Sequence, residues 1–176
     1  MLENIRDKVA ILIINYMLRK RQLAKQNFND LFKKSESFFL ILPEDEIDYH
    51  NSISVIKFFE IHGKKFTIFT NDFRISPLPA KLQNNSIDFG IKEMTFFRIP
   101  SKQLTNKLSG ISIDVVIDLN RKKSLFHSCV ANLVNAKVRI GFEKNYSDKF
   151  YNLQFANSEE NPEVIYKNFL NCLQMF

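Results

Sequence analysis

Apolar residues fall along this chain in short dense runs rather than in alternation, and the runs set the expected elements. Ser37 to Pro43 (SFFLILP) is apolar after its first position and closes on proline, which predicts a buried strand. From His50 to His62, Ile53, Ile56 and Phe59 recur at helical spacing, and Gly63 follows where a helix C-cap belongs. Lys65 to Thr70 (KFTIFT) predicts a second strand and Met94 to Ile99 (MTFFRI) a third, with a proline-containing connection between them. Pro100 and Ser101 open a short helix that ends near Leu108. The segment IDVVIDLN, ending at Asn120, predicts a fourth strand. A helix follows from Arg121 with Leu125, Cys129 and Leu133 on one side, and Lys137 to Phe142 (KVRIGF) predicts a fifth strand.

Strands apolar on both faces, alternating with helices, predict an α/β fold: a mostly parallel sheet with helices on both faces, as in a single Rossmann-like domain. The expected organisation is an N-terminal amphipathic helix and linker over residues 1–36, the α/β domain over 37–158, and a C-terminal helix over 159–176 packing on it. Right-handed crossovers put every strand's C-terminal end on one rim, where open sheets of this kind bind ligands. That rim comprises Pro43 to Asp48, Thr70 to Asp72, Asp118 to Arg121, and Gly141 to Lys144.

At 176 residues, with 45% hydrophobic and 25% charged positions, the chain is one globular domain. The net charge of +6 is concentrated: residues 1–37 hold eight Lys/Arg against four acids and so supply +4 of it. Basic residues are not interleaved with aromatics along the strands, so nucleic acid is not an expected partner. The apolar run Val9 to Leu18 is shorter than the roughly 20 residues that span a bilayer, and its basic cluster Arg19-Lys20-Arg21 lies on the wrong side for a secretory signal. Residues 1–26 are left with three expected uses: packing on the domain, docking a partner, or lying peripherally on the inner membrane surface of a cytoplasmic protein. The two cysteines have no metal or redox spacing and read as reduced thiols.

The rim residues each have a structural and a functional reading. Glu44, Asp45, Glu46 and Asp48 crowd a helix start, where acids suit the dipole and Asp48 is the expected cap. They lack the spacing of a calcium loop, and no metal or cofactor is expected. A phosphate-cradling turn at that point would need glycine and little negative charge. Asn120 is the expected N-cap of the helix from Arg121, with Asp118 orienting the turn or accepting from Arg139 on the next strand. Asp72 sits at the end of the second strand. His50, His62 and His127 read as structural. No nucleophile elbow, Walker loop or dinucleotide fingerprint is present.

The order DVVIDLN, helix, AKVRIGF, and then FYNLQF resembles the N-terminal half of the heptosyltransferase-like family, glycosyltransferase family 9; Arg139-Ile140-Gly141-Phe142 carries the most specific part of the likeness. The resemblance covers about residues 37–176. It implies the acceptor-side domain of a GT-B enzyme of lipopolysaccharide synthesis that takes heptose from ADP-heptose. Aligning the family's helix start on Ser52-Ile53-Ser54 puts its proposed general base, an aspartate, at Asp48. The family's turn glycines are replaced by residues such as Glu44 and Ile47. The donor-binding C-terminal domain has no counterpart here, so the resemblance implies a chain inactive alone, working with a separate donor-domain subunit or as a homo-oligomer. The other expectation is a non-catalytic module that keeps the sheet and docks on a protein partner or the inner membrane.

Overall fold

The computed structural model describes residues 2–18, 28–145 and 147–176. The basic cluster Arg19-Lys20-Arg21 lies outside them. Among the described residues, six parallel strands form one sheet in the order β3-β2-β1-β4-β5-β6. They are β1 (Ser37–Ile41), β2 (Lys65–Asn71), β3 (Ser86–Phe89), β4 (Ser112–Asp118), β5 (Asn135–Phe142) and β6 (Leu153–Phe155). Seven α-helices accompany them among the described residues: α1 (Leu2–Leu18), α2 (Leu31–Lys34), α3 (Glu46–Ile61), α4 (Ala80–Asn84), α5 (Lys102–Ser109), α6 (Leu125–Leu133) and α7 (Pro162–Gln174). The α/β class expected from the apolar runs is the class found.

Both faces of the central strands are covered because successive side chains on a strand point opposite ways. On β1, Phe38 and Leu40 enter a core with Val55, Ile56 and Phe59 of α3 and Tyr166 and Phe169 of α7. Phe39 and Ile41 enter the opposite core with Leu104 and Leu108 of α5 and Cys129 and Val130 of α6. All four β1 side chains have zero exposure, so no position in the run had reason to be polar. Rings fill both layers. Phe38 meets Phe59 at 4.7 Å on one side, and Phe69 stacks on Phe89 at 4.8 Å on the other.

Helix α6 is buried at all nine of its positions, not on one side only. Its outer face is covered by α1, whose Ala10 and Ile14, one helical turn apart, are fully buried in the same core. Packing on its own domain is therefore the use the structure gives to the described part of the N-terminal helix, with Leu12 and Tyr16 left exposed. No helix among the described residues is long and apolar enough to cross a membrane.

Three sequence expectations are corrected. The third strand is Ser86–Phe89, which pairs with β2 through Ile68↔Ser86 and Asn71↔Phe89, and not Met94 to Ile99. The latter is a turn with one antiparallel bridge, Met94↔Pro100, and Arg98 in the left-handed region at φ 54°. Phe96 at 83% exposure shows why apolar density misled: the run sends Ile99 into the core but leaves Phe96 in solvent. β3 is short and half polar because it is a sheet edge. The linker expected over Asn27 to Glu36 contains α2, whose Phe32 joins the α3 core. A sixth strand, β6, extends the sheet beyond β5.

The start of β1 is tied to β4 by one carboxylate. Asp114 accepts the backbone N–H groups of Glu36 and Ser37, the Ser37 hydroxyl at 2.9 Å and Lys137 Nζ at 3.1 Å. The Lys137 ammonium, opposed by partial burial and reinforced by the Ser37 and backbone donors, holds this carboxyl at about 2. A folded-state value below the unfolded one, about 3.9, gives stability that is complete above that pH and is lost as pH falls toward 2. Asp114→Asn is expected to cost about 1 kcal/mol at neutral pH, with Lys137 largely exposed and screened. Urea unfolding at neutral and acid pH checks this: the gap between variant and parent should close as the acid limit is approached.

Candidate functional site

The chain winds outward from β1 to β3, returns to place β4 beside β1, and winds outward again to β6. The order of winding reverses between β1 and β4, and the crevice beyond their C-terminal ends is where sheets of this topology hold ligands. Register Ile41↔Asp118 and Asp118↔Gly141 brings the ends of β1, β4 and β5 to one level. Above them meet the β1–α3 loop and the turn before α6.

Asp118 is the centre beneath that crevice. It is fully buried, and its Oδ2 accepts Lys144 Nζ at 2.9 Å and the Tyr151 hydroxyl. Oδ1 accepts the backbone N–H of Asn120 at 3.0 Å and its side-chain amide at 2.7 Å. Lys144 also donates to the Asn120 carbonyl at 2.7 Å, and its side chain is 6% exposed. Burial by itself would push the Asp118 carboxyl up; the Lys144 ammonium, the Tyr151 hydroxyl and the Asn120 amide together outweigh it and hold the group below its ordinary value. Burial, helped by the Asp118 charge, pushes Tyr151 well above the usual phenol range, so it stays a donor. Both members of the buried charge pair are thus hydrogen-bonded beyond each other, the condition under which such a pair is tolerated.

Arg139 does not reach Asp118. Its guanidinium turns to the C-terminal end of α6, donating to the Ala131 and Val134 carbonyls at 3.0 Å each, where a cation suits both the free carbonyls and the dipole. Gly141 has a different reason. A Cβ there would lie 2.9 Å from the Tyr151 ring, so the glycine makes room for the ring that donates to Asp118.

Asn120 is not a helix cap either. Its Oδ1 accepts the Glu44 N–H at 3.1 Å, and its side-chain nitrogen faces Asp118. Arg121 to Lys123 are not helical; Ser124 caps α6, accepting from the His127 N–H. The Ser124 hydroxyl also shares a 2.8 Å hydrogen bond with His127 Nδ1. Burial pushes the His127 pKa down, so its ring is neutral at pH 7, and its Nε2 has no partner.

On the β1 side, Asp45 caps α3 rather than Asp48, accepting from the N–H groups of Ile47 and Asp48. Asp45 also pairs with Lys122, which with those N–H bonds lowers its pKa. Asp48 is 1% exposed. One oxygen accepts Arg121 Nε at 2.7 Å; the other has no partner. Tyr166 donates to the Leu119 carbonyl at 2.7 Å, and burial beside the Asp48 charge raises its pKa. The loop itself is held by Arg74, a buried cation over the Tyr49 ring at 4.1 Å, which donates to the Pro43 carbonyl and to the Glu44 carbonyl at 2.7 Å.

Five of the rim candidates therefore come together: Glu44, Asp45, Asp48, Asn120 and Arg121 line one cleft at the switch point, and Asp118 lies beneath them. Asp72 does not join them. It sits beyond β2, accepting the N–H of Phe73. Sequence reasoning missed Arg74 and Tyr151 as parts of the site and named Lys144 only as the end of a rim segment. Among the described residues, no group of three or more His, Cys, Asp or Glu is placed to hold a metal ion.

Sheet order and rim together define the class: a Rossmann-like domain whose switch-point crevice is floored by a hydrogen-bonded ion pair. Within that class, the chain belongs to a family of unknown function, DUF6913, which matches residues 6–176. No curated protein and no solved structure matches the chain.

Proposed function

We propose that this chain is a non-catalytic binding module, built on a Rossmann-like domain of heptosyltransferase-like ancestry and using its switch-point rim as the binding surface. The observation that carries this reading is the state of Asp48. A general base must offer its oxygen to the proton it takes. Asp48 is instead a counter-ion, with one oxygen committed to Arg121 at 2.7 Å and the other buried beneath the rim. The loop before it lacks the glycines of a substrate-cradling turn and is pinned at Glu44 from two sides.

The residues that resemble the glycosyltransferases have structural work here. Arg139 satisfies carbonyls at the end of α6, and Gly141 accommodates a ring. Both are duties of the fold, and neither needs a sugar. On this reading the chain works beside envelope-glycan synthesis as a binding protein and not as the transferase.

The test is transfer of label from ADP-heptose into lipid-linked acceptors, in a lysate of the source cell lacking this chain, with and without the purified protein. Equal incorporation is expected. Incorporation that requires the chain and is lost with Asp48→Asn would overturn the reading.

A further inference from the structure

The end of the sheet opposite the rim, where the strands begin, gathers cations. α3 and α7 finish there, and α2 lies beside them: the Phe32 N–H donates to the Phe176 carbonyl at 3.1 Å, and Phe28 packs edge-on against the Phe176 ring. Lys64, in the turn between α3 and β2, reaches to α2 and donates to the Lys33 and Ser35 carbonyls at 3.1 and 2.9 Å. Lys65 opens β2, and Lys81 of α4 lines the same hollow as Lys64 and Lys65. Lys33 and Lys34 are mostly exposed and share a single acid, Asp30, at 3.8 and 3.2 Å. Lys65 and Lys81 are exposed and, among the described residues, have no ion pair. Around α2 and the α3–β2 turn these lysines stand against Asp30, Glu36 and Glu60, while Asp114 and Lys137 at the same end neutralise each other. The sequence joined to Phe28, residues 19–27, has Arg19, Lys20, Arg21 and Lys25 and no acid, so the chain leading into this face is cationic as well.

Two large apolar side chains stand among the cations. Ile61, the last residue of α3, is 82% exposed, and Met175, just past α7, is 83% exposed. Lysines alone would suit any polyanion. Lysines around exposed aliphatic side chains suit a bilayer interface, which takes the apolar groups below its headgroups and the ammonium groups among its phosphates. A nucleic acid would leave Ile61 and Met175 in water, and the exposed rings of Phe73 and Phe96, on which bases could stack, lie at the opposite, rim end. The described part of α1 is spent on the core, so a lipid contact falls to this face of the folded domain.

We propose that this end of the domain docks peripherally on an anionic bilayer surface, its lysines at the headgroup phosphates and Ile61 and Met175 in the interface. Docked so, the domain turns its rim away from the lipid and keeps it open to other partners. The proposal goes beyond the reading of the rim and does not rest on it.

The test is flotation of the full chain with vesicles of equal parts phosphatidylcholine and phosphatidylglycerol, and with phosphatidylcholine alone. The chain is expected to float with the mixed vesicles at low salt, to be released by high salt, and to stay behind with phosphatidylcholine alone. Lys65→Ala combined with Lys81→Ala should weaken partition on the order of tenfold, since each cation at such a surface contributes severalfold. Ile61→Ser combined with Met175→Ser should weaken it severalfold at the same salt. Both pairs are exposed changes, and unchanged circular dichroism checks that the fold is intact. Lys92→Ala combined with Lys102→Ala removes the same charge from the rim end and should float as the parent does. No flotation on the mixed vesicles, flotation that survives the loss of Lys65 and Lys81, or an equal loss in the rim-end control would overturn the proposal. Displacement from the vesicles by a DNA duplex that binds the Ile61 and Met175 variant as tightly as the parent would assign the face to nucleic acid, and would overturn it too. Transfer from ADP-heptose is not read in this assay, so its failure leaves the non-catalytic reading to its own test.

Discussion

Asp118→Ala is expected to destabilise the chain by about 3–5 kcal/mol, because it strands the Lys144 ammonium in a site where it is almost fully buried. The loss is larger than an ion pair's net worth. It includes the desolvation of a charge left without its partner, and the hydrogen bonds that Tyr151 and Asn120 direct at the same carboxylate. Removing the ammonium as well should recover part of it. In a cycle with Lys144→Met, the double variant is expected to lose about 1–3 kcal/mol less than the sum of the single losses, as residues in one network couple. Urea unfolding followed by far-ultraviolet circular dichroism measures all four corners, and simple addition of the two losses would show that the pair does not act as a unit.

Gly141→Ala is the second large effect. The new methyl would sit 2.9 Å from the Tyr151 ring, so the ring must shift, and its hydroxyl leaves Asp118 as it does so. Overpacking and the lost hydrogen bond to a charged group together should cost about 2–4 kcal/mol. The backbone is not the reason, since Gly141 lies within β5 as ordinary strand. The control is the same substitution in a Tyr151→Ala background, where the obstacle is gone and Gly141→Ala should cost much less. An equal cost in both backgrounds would mean that the ring does not set the requirement for glycine.

These two residues also show which parts of the molecule a sequence discloses. β1 and β4 were legible because their central residues, Phe38 to Ile41 and Val115 to Ile117, bury both faces, so those positions had to be apolar. The rim was legible for a related reason: parallel strands all end on one side, and the first polar residues after each run mark it. Partners were a different matter. Lys144 lies 26 residues from Asp118 and Tyr151 lies 33, and only the register Asp118↔Gly141 brings them there. Nothing in the local pattern separates Lys144 from a surface lysine. The helix start illustrates a closer failure. Asn120 and Ser124 are both good caps by residue type, and the choice falls to Ser124 because the Asn120 side chain is already engaged by Glu44 and Asp118. Asp45 displaces Asp48 as the α3 cap in the same way, once Arg121 has claimed Asp48. Arg74 was invisible altogether: its contacts cross from the turn after β2 to the loop after β1, a distance of about 30 residues that only strand pairing closes.

The claim on which the binding reading stands is that the β1–α3 loop is a fixed surface, not a mobile catalytic turn. Its most direct measure is native-state hydrogen exchange at the Glu44 amide, which donates to the buried Asn120 side chain. Glu44 is expected to exchange nearly as slowly as Val116 in the centre of β4, since releasing it requires the Asp118 network to open. Exchange of Glu44 at the rate of exposed loop amides, with Val116 still protected, would contradict the account.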